Sequence, residues 1–439
     1  MFKKTLFFFC INFFIWKSAW AISLIRDAQT ENFIEDLIRP ILVAANLEGQ
    51  VKLYIVNDPS INAFVAGGKN IFINTGTITY GNSPLGLIGV LAHETGHITG
   101  GHLARMSLDL KQVNQQMALG YLLGIATALI GNADAGQALI LGSSHAAERQ
   151  FYSFSTKHEE AADEAALKFL DEAGVSAKGL LEFFKNIKAN ERIYFDTINP
   201  YTRTHPLTSA RISRISEHLN NSEYSEVFLS PELNKQYQLI KTKLLAFLEP
   251  AEEVLRNYDT ETENGKLAHI IANHRLGNSK VALKIFETLK NKADPYMQAL
   301  KGQIFYESGQ ANEAVAVLGQ VIKKLPDEAL IKVQYGAAVV SSKNAKLYRQ
   351  GINQLKFALI TETDNVQAWN FLGQLYNRNQ QEGLSFLALA EAEYIRTNYP
   401  LAIKYAERAK KILEKKGDIV NLSRAKQIIK NAKEEVKSN

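Results

Sequence analysis

Apolar residues along positions 24–47 recur at the three-to-four spacing of a helix, with Leu37, Ile38, Ile41 and Leu42 as the stripe to be buried. The period then changes. Residues 51–56 alternate around a lysine as a strand does, and Asn57-Asp58-Pro59 is a turn. Asn62-Ala63-Phe64-Val65-Ala66 reads as a second short strand ended by Gly67-Gly68. Ile71-Phe72-Ile73 is a third, followed by a turn at Asn74-Thr75-Gly76. Helical spacing resumes at Leu85, so a small sheet stands just before a helix. From about Leu239 the chain is helical and alanine-rich. The pattern predicts an α+β first half and an all-α second half.

The second half also repeats. Gly302, Phe305, Gly309, Ala314, Leu318, Val321 and Pro326 keep the intervals of a helix-turn-helix unit of about 34 residues. Trp369, Leu372, Gly373 and Tyr376 restate its first helix. Gly277, Ala282, Phe286 and Leu289 form an earlier, weaker copy, and Ala402, Tyr405 and Ala409 a later second helix. Small residues let helices approach while aromatic and leucine side chains fill the gaps. Stacked pairs of this kind build a curved solenoid whose concave face suits extended or partly folded polypeptide.

Two other segments bear on setting. Lys3 and Lys4, an apolar run from Thr5 to Trp16 and the small-x-small Ala19-Trp20-Ala21 form a secretory signal over 1–21, too short in its apolar part to span a membrane. The one cysteine, Cys10, lies inside it, so the exported chain needs no disulfides. A periplasm fits. Without Lys3, Lys4 and Lys17 the formal charge falls from +5 to +2, which removes the basic balance as an argument for nucleic acid. Residues 112–141 are nearly uncharged and rich in leucine, alanine and glycine. They read as a buried or surface-adsorbed helix, or as a lid or membrane-facing loop, in preference to a span.

The chemistry concentrates in G89-V-L-A-H-E-T-G-H97. An H-E-x-x-H sequence on a helix presents His93 and His97 from one face to one metal ion, and Glu94 can act on a metal-bound water as general base. Downstream, a helix over 154–170 would project Glu159 and Asp163 from one face, a turn apart. An acid there could complete a His-His-Glu set with an open position for water. By spacing, Glu160 could take that role instead, and His158 could also coordinate. Asp163 is placed to accept a hydrogen bond from a ligand histidine. His205-Pro206 biases the histidine towards extended geometry in a loop entering a cleft, and Pro206 reads as the start of a helix carrying Arg211. Arg211 could meet a substrate carbonyl, a carboxylate or the developing oxyanion. Asn62, Ala63 and Phe64 lie on a strand that an extended substrate could pair with.

Together these stretches resemble the M48 family of zinc metallopeptidases with C-terminal tetratricopeptide repeats. The resemblance covers nearly the whole chain. His93, Glu94, His97 and His102 match the family's H-E-x-x-H-x-x-x-R-H, with Gly101 where arginine is usual. Ser155, Ala162 and Asp163 align with S-R-x-x-E-x-E-A-D, which selects Glu159 as the third ligand; Thr156 and Ala161 depart from it. His205-Pro206 to Arg211-Ile212 matches H-P-x-x-x-x-R-I. The resemblance implies a zincin-like α+β domain over 22–235 and a repeat solenoid over 236–439. It implies one Zn2+ per chain on His93, His97 and Glu159, with His205 as a removable extra ligand. Substrates would be stalled or misassembled outer-membrane β-barrel proteins. Partners would be these clients and the β-barrel assembly machinery, with no nucleic acid and peripheral membrane contact left open. The competing reading is a periplasmic chaperone or scaffold with latent proteolysis. More distant is an exported peptidase whose repeats engage peptidoglycan-associated or secreted partners.

Overall fold

The computed structural model describes residues 23–102, 145–191 and 200–438. The leader over 1–21 and the apolar segment over 112–141 lie outside these residues. The described chain is mostly helical with one small sheet, and it divides into two compact units. The first takes in Ile38–Tyr80 and Leu85–Phe228, the second Arg26–Leu37 and Leu229–Asn439.

In the first unit the sheet has the order β1-β2-β4-β3, formed by Leu24–Ile25, Lys52–Val56, Asn70–Asn74 and Ala63–Ala66 respectively. β2 and β4 run parallel, while β1 and β3 are antiparallel to their neighbours. β3 is therefore an edge. Alternation along the strands buries Ile55, Ile71, Ile73, Ala63 and Val65 on the core side. On the opposite side Tyr54, Phe72 and Phe64 stack across three strands, with ring centroids 5.0 and 5.2 Å apart. Such cross-strand aromatic pairs are what holds a short sheet in register.

β2, β3 and β4 lie where the sequence pattern predicts strands. Three local readings need correction. Leu24 and Ile25 pair with β2, so the first helix, α1, starts only at Ala28 and runs to Ala44. Asp27 caps it, accepting from the Thr30 backbone at 3.0 Å. Thr75-Gly76 opens a short helix, α2 (Thr75–Tyr80), and Gly76 packs so tightly on the Pro59 carbonyl that a Cβ there would collide with it. The helix after Pro206 starts at Ser209, where Thr208 caps it by accepting from Arg211 N.

The rest of this unit is helical: α3 (Pro84–Thr99), α4 (His145–Glu172), α5 (Lys178–Glu191), α6 (Pro200–Thr204) and α7 (Ser209–Asn221). α3 is buried almost all round, from Leu87 through Thr95 with Gly89 among them. A helix without a polar face belongs inside. Two glycines let its neighbours come close: a Cβ at Gly89 would sit 2.7 Å from Leu180 Cβ on α5, and one at Gly96 only 2.5 Å from the Ala162 carbonyl on α4.

The second unit contains, among the described residues, helices only. They are α8 (Pro231–Leu248), α9 (Ala251–Asn257), α10 (Glu263–Arg275), α11 (Ser279–Phe286), α12 (Pro295–Glu307), α13 (Ala311–Lys324) and α14 (Ala329–Ser342). Then come α15 (Tyr348–Thr361), α16 (Val366–Arg378), α17 (Glu382–Ile395), α18 (Tyr399–Lys416) and α19 (Ile419–Ser438). From α12 onward each helix packs on the next in chain order. Gly302 shows how: a Cβ there would lie 2.6 Å from Leu318 Cγ, so the leucine of α13 fills the space a side chain on α12 would need. Gly277 and Gly309 take positive φ (80° and 81°) just past α10 and α12, the left-handed turn that ends a helix cheaply only at glycine. Leu372, Tyr376, Ala402 and Ala409, spaced as the repeat pattern requires, are all buried.

Candidate active site

α3 delivers His93 and His97 a turn apart, α4 delivers Glu159, and the segment after α6 delivers His205. One donor atom from each of these four residues lies within 4.8 Å of the others. His93 Nε2 is 3.1 Å from His97 Nε2, 3.2 Å from Glu159 Oε2 and 3.4 Å from His205 Nδ1. His205 Nδ1 is 3.1 Å from Glu159 Oε2. Three imidazole nitrogens and one carboxylate oxygen turned to one point are a donor set for a metal ion, and an N/O set of this kind suits zinc. The close approach of α3 and α4 at Gly96 and Ala162 is what brings Glu159, one turn before Ala162, up to the two histidines.

Carboxylates and one guanidinium surround this cluster. Asp163 Oδ1 lies 2.9 Å from His93 Nδ1, an oblique approach that makes a charge pair in place of an aligned hydrogen bond. Arg211 grips Asp163 with two hydrogen bonds, Nε to Oδ2 at 2.6 Å and Nη2 to Oδ1 at 2.8 Å. It also pairs with Glu159 Oε2 at 3.0 Å and donates to the Pro206 carbonyl at 2.9 Å. Its guanidinium lies over the Phe184 ring, 4.8 Å from the centroid. Arg211, expected to meet a substrate carbonyl, a carboxylate or an oxyanion, meets two carboxylates and the Pro206 carbonyl here.

The electrostatics follow from burial against pairing. Burial alone would hold His93 neutral, but Asp163 and Glu159 outweigh it and raise its pKa to about 9. Burial wins at His97, which falls to about 3. Burial opposes the charge of Glu159 too, yet His205, His93 and His97 pull its pKa well below the usual carboxylate range. Burial raises Glu94. Glu94 is fully buried, and among the described residues neither carboxylate oxygen has a hydrogen-bond partner, although His205 Nε2 lies 3.5 Å from Oε1. A buried carboxylate without a hydrogen bond is costly, and such groups persist where chemistry needs them. That arrangement fits a base held ready beside a metal.

The predicted substrate strand abuts the same point. Ala63 O accepts from His205 Nε2 at 3.1 Å, and Thr204 Oγ1 donates to Asn62 Oδ1 at 3.2 Å. Asn74 N donates to Asn62 O at 3.0 Å, so the Asn62 carbonyl and the Phe64 backbone groups face β4, and those of Ala63 and Val65 face the outer edge of the sheet. Phe64 packs in the aromatic row described above. The alternatives for the third ligand separate by helix face: Glu160 pairs with Arg214 at 3.4 Å, and His158 stacks on His102. Sequence reasoning missed Tyr201, whose buried ring centres 4.7 Å from that of His205. Its one signal was the i,i+4 spacing to His205, invisible without knowing that α6 is helical.

A helix-borne H-E-x-x-H with a carboxylate from a second helix defines the metallopeptidase class. Residues 26–219 match the model of peptidase family M48, and over that segment the chain is an M48-like metalloendopeptidase. It is 23% identical over 378 residues to the beta-barrel assembly-enhancing protease of Yersinia pestis, covering 83% of this chain and 75% of that one. Identity to the protein of the same name from Escherichia coli K12 is 22%, over 82% and 75%. The mitochondrial metalloendopeptidase OMA1 of Schizosaccharomyces pombe is 25% identical over 43% of this chain and 52% of its own.

Proposed function

We propose that the chain is a periplasmic zinc endopeptidase that cleaves misassembled outer-membrane β-barrel proteins and assists their assembly. The observation that carries the chemistry is the four-donor cluster with Glu94 buried beside it, its carboxylate without a hydrogen bond among the described residues and 3.5 Å from His205 Nε2. His93, His97 and Glu159 would hold one Zn2+, which when bound supplies a Lewis acid and lowers the pKa of a bound water. Glu94 accepts the proton of the attacking water on its carboxylate and delivers it to the leaving amine. Asp163 holds His93 in orientation, and Arg211 acts through Asp163 and Glu159 without touching substrate. Asn62, Ala63 and Phe64 offer β3 to an extended substrate, whose backbone can pair with the free edge.

His205 is the gate. Its Nδ1 fills the fourth position of the cluster while Nε2 is tied to Ala63 O, so substrate access needs its departure. That filled position also favours the second reading, a chaperone or scaffold whose proteolysis is latent. The client class rests on the names of the bacterial relatives, which speak of β-barrel assembly and proteolysis. The exported setting rests on the leader-like start; no helix among the described residues is long and apolar enough to cross a membrane. We assign the peptidase domain to 22–235 and a tetratricopeptide-repeat solenoid to 236–439. Gln334, Gln367, Asn370, Phe371 and Gln374 line a groove on α14 and α16, amide and aromatic side chains suited to polypeptide and to contacts with the β-barrel assembly machinery.

Zinc content and cleavage of an unfolded protein by wild type, E94Q and H205A test this. The expected result is one zinc per chain, faster cleavage by H205A and none by E94Q. Zinc with no cleavage by wild type or H205A would favour the chaperone reading. A chain that takes up no zinc after refolding with it would overturn the assignment.

A further inference from the structure

The two ligand histidines of α3 are supported in unlike ways. His93 turns its outer nitrogen to Asp163, a carboxylate. His97 turns Nε2 to the cluster, so its outer nitrogen is Nδ1, and this meets His102 Nδ1 at 3.0 Å. A neutral imidazole that gives one nitrogen to a metal carries its proton on the other. In that state His97 donates from Nδ1 and His102 accepts at Nδ1, which leaves the proton of His102 on Nε2.

The chain goes to some length to place His102 there. α3 stops at Thr99, and Gly101 takes a left-handed φ of 59°. A Cβ on Gly100 would lie 2.2 Å from His102 Nε2. Gly100 and Gly101 thus let the chain turn back so that the His102 ring lies against the end of α3, where it is 5% exposed. The other face of that ring is taken by His158, stacked at 4.4 Å and 7° from parallel. His158 is the residue before Glu159 on α4.

We propose that His102 is a positioning residue for the metal site: it accepts the Nδ1 proton of His97, fixes its tautomer and ring plane, and is itself held by His158. It touches neither substrate nor metal. The inference rests on the metal reading above and adds a residue to it. An acceptor of this kind typically changes metal affinity about tenfold to a hundredfold when removed.

The test uses the full mature chain, with zinc affinity measured by chelator competition and the visible spectrum of the cobalt-substituted protein. H102F keeps a ring on His158 but cannot accept; H102N puts an oxygen near the place of Nδ1; H102Q puts it near Nε2. The expected result is weaker zinc binding by about tenfold or more in H102F and H102Q. Their cobalt bands should shift, and both affinity and spectrum should return towards wild type in H102N. Should H102F fail to fold, the contrast between H102N and H102Q decides the matter. Wild-type affinity in H102F, or equal affinity in H102N and H102Q, would overturn the role of His102. A wild-type chain that binds no zinc would instead overturn the metal reading itself.

Discussion

The two units handle buried charge differently. In the peptidase unit His93, Glu94, Glu159, Asp163, His205 and Arg211 are all buried and share partners, so that Glu159 faces two histidines of α3, His205 and Arg211 at once. In the helical unit buried ionisable groups have partners of their own: Lys243 with Asp27 at 2.7 Å, His274 with Glu307 at 2.7 Å, and Glu391 with Arg424. A separate pair can fail locally. A shared network fails as a whole, because each member left behind is a charge without water or counter-charge. The peptidase unit thus gives up the stability that an apolar core would bring in order to hold a donor set, and the helical unit does not.

That contrast can be broken most forcefully at Arg211. R211M leaves Asp163 and Glu159 buried without their cation, and should destabilise the peptidase unit by about 3–5 kcal/mol in a denaturant titration. R211M/D163N should recover part of the loss, as expected for residues in one network; simple additivity would show that the groups act independently. A purely steric fault in the helical unit comes next. G302A must displace Leu318 and should cost about 1–3 kcal/mol, with zinc binding unchanged.

A pair should respond to pH on its own. Burial opposes the charge on Asp27, but the Lys243 ammonium and the Thr30 hydrogen bonds bring its pKa below the ordinary value. A carboxylate depressed in the folded state stabilises above its unfolded pKa, about 3.9, and loses that contribution as pH falls through the folded value. The stability difference between wild type and D27N should therefore be constant near neutrality and shrink below about pH 4. Smallest of all is Lys235–Glu232, exposed on α8 at 3.8 Å. K235A should change stability by less than about 1 kcal/mol, and a larger loss would mean that surface pairs matter here too.

How far this was legible from the residues depends on distance along the chain. His93, Glu94 and His97 could be read because one helical turn places them, and β2, β3 and β4 because the strand pattern does. Glu159 could not be separated from Glu160 and His158 by spacing, since each sits on a plausible helix; the α3–α4 crossing at Gly96 and Ala162 decides it. The partners of Arg211 were out of reach for the same reason, with Asp163 48 residues away. β1 was missed because two residues carry no periodicity. The parallel pairing of β2 with β4, which leaves β3 at an edge, is likewise a property of the assembled sheet.

Gly96 is one of the two unspecified positions between the histidines, yet it is the least free residue of the motif. The backbone of α4 presses on it, and a methyl group there would have nowhere to rotate. The bore of the metal site is thus gauged by main chain on main chain. Side chains around it can change shape and repack, but drift in the surrounding core has no lever on the distance from Glu159 to the histidines. The same arrangement has no tolerance at one atom: the pocket can be retuned by exchanging a ligand, and hardly at all by spreading its walls.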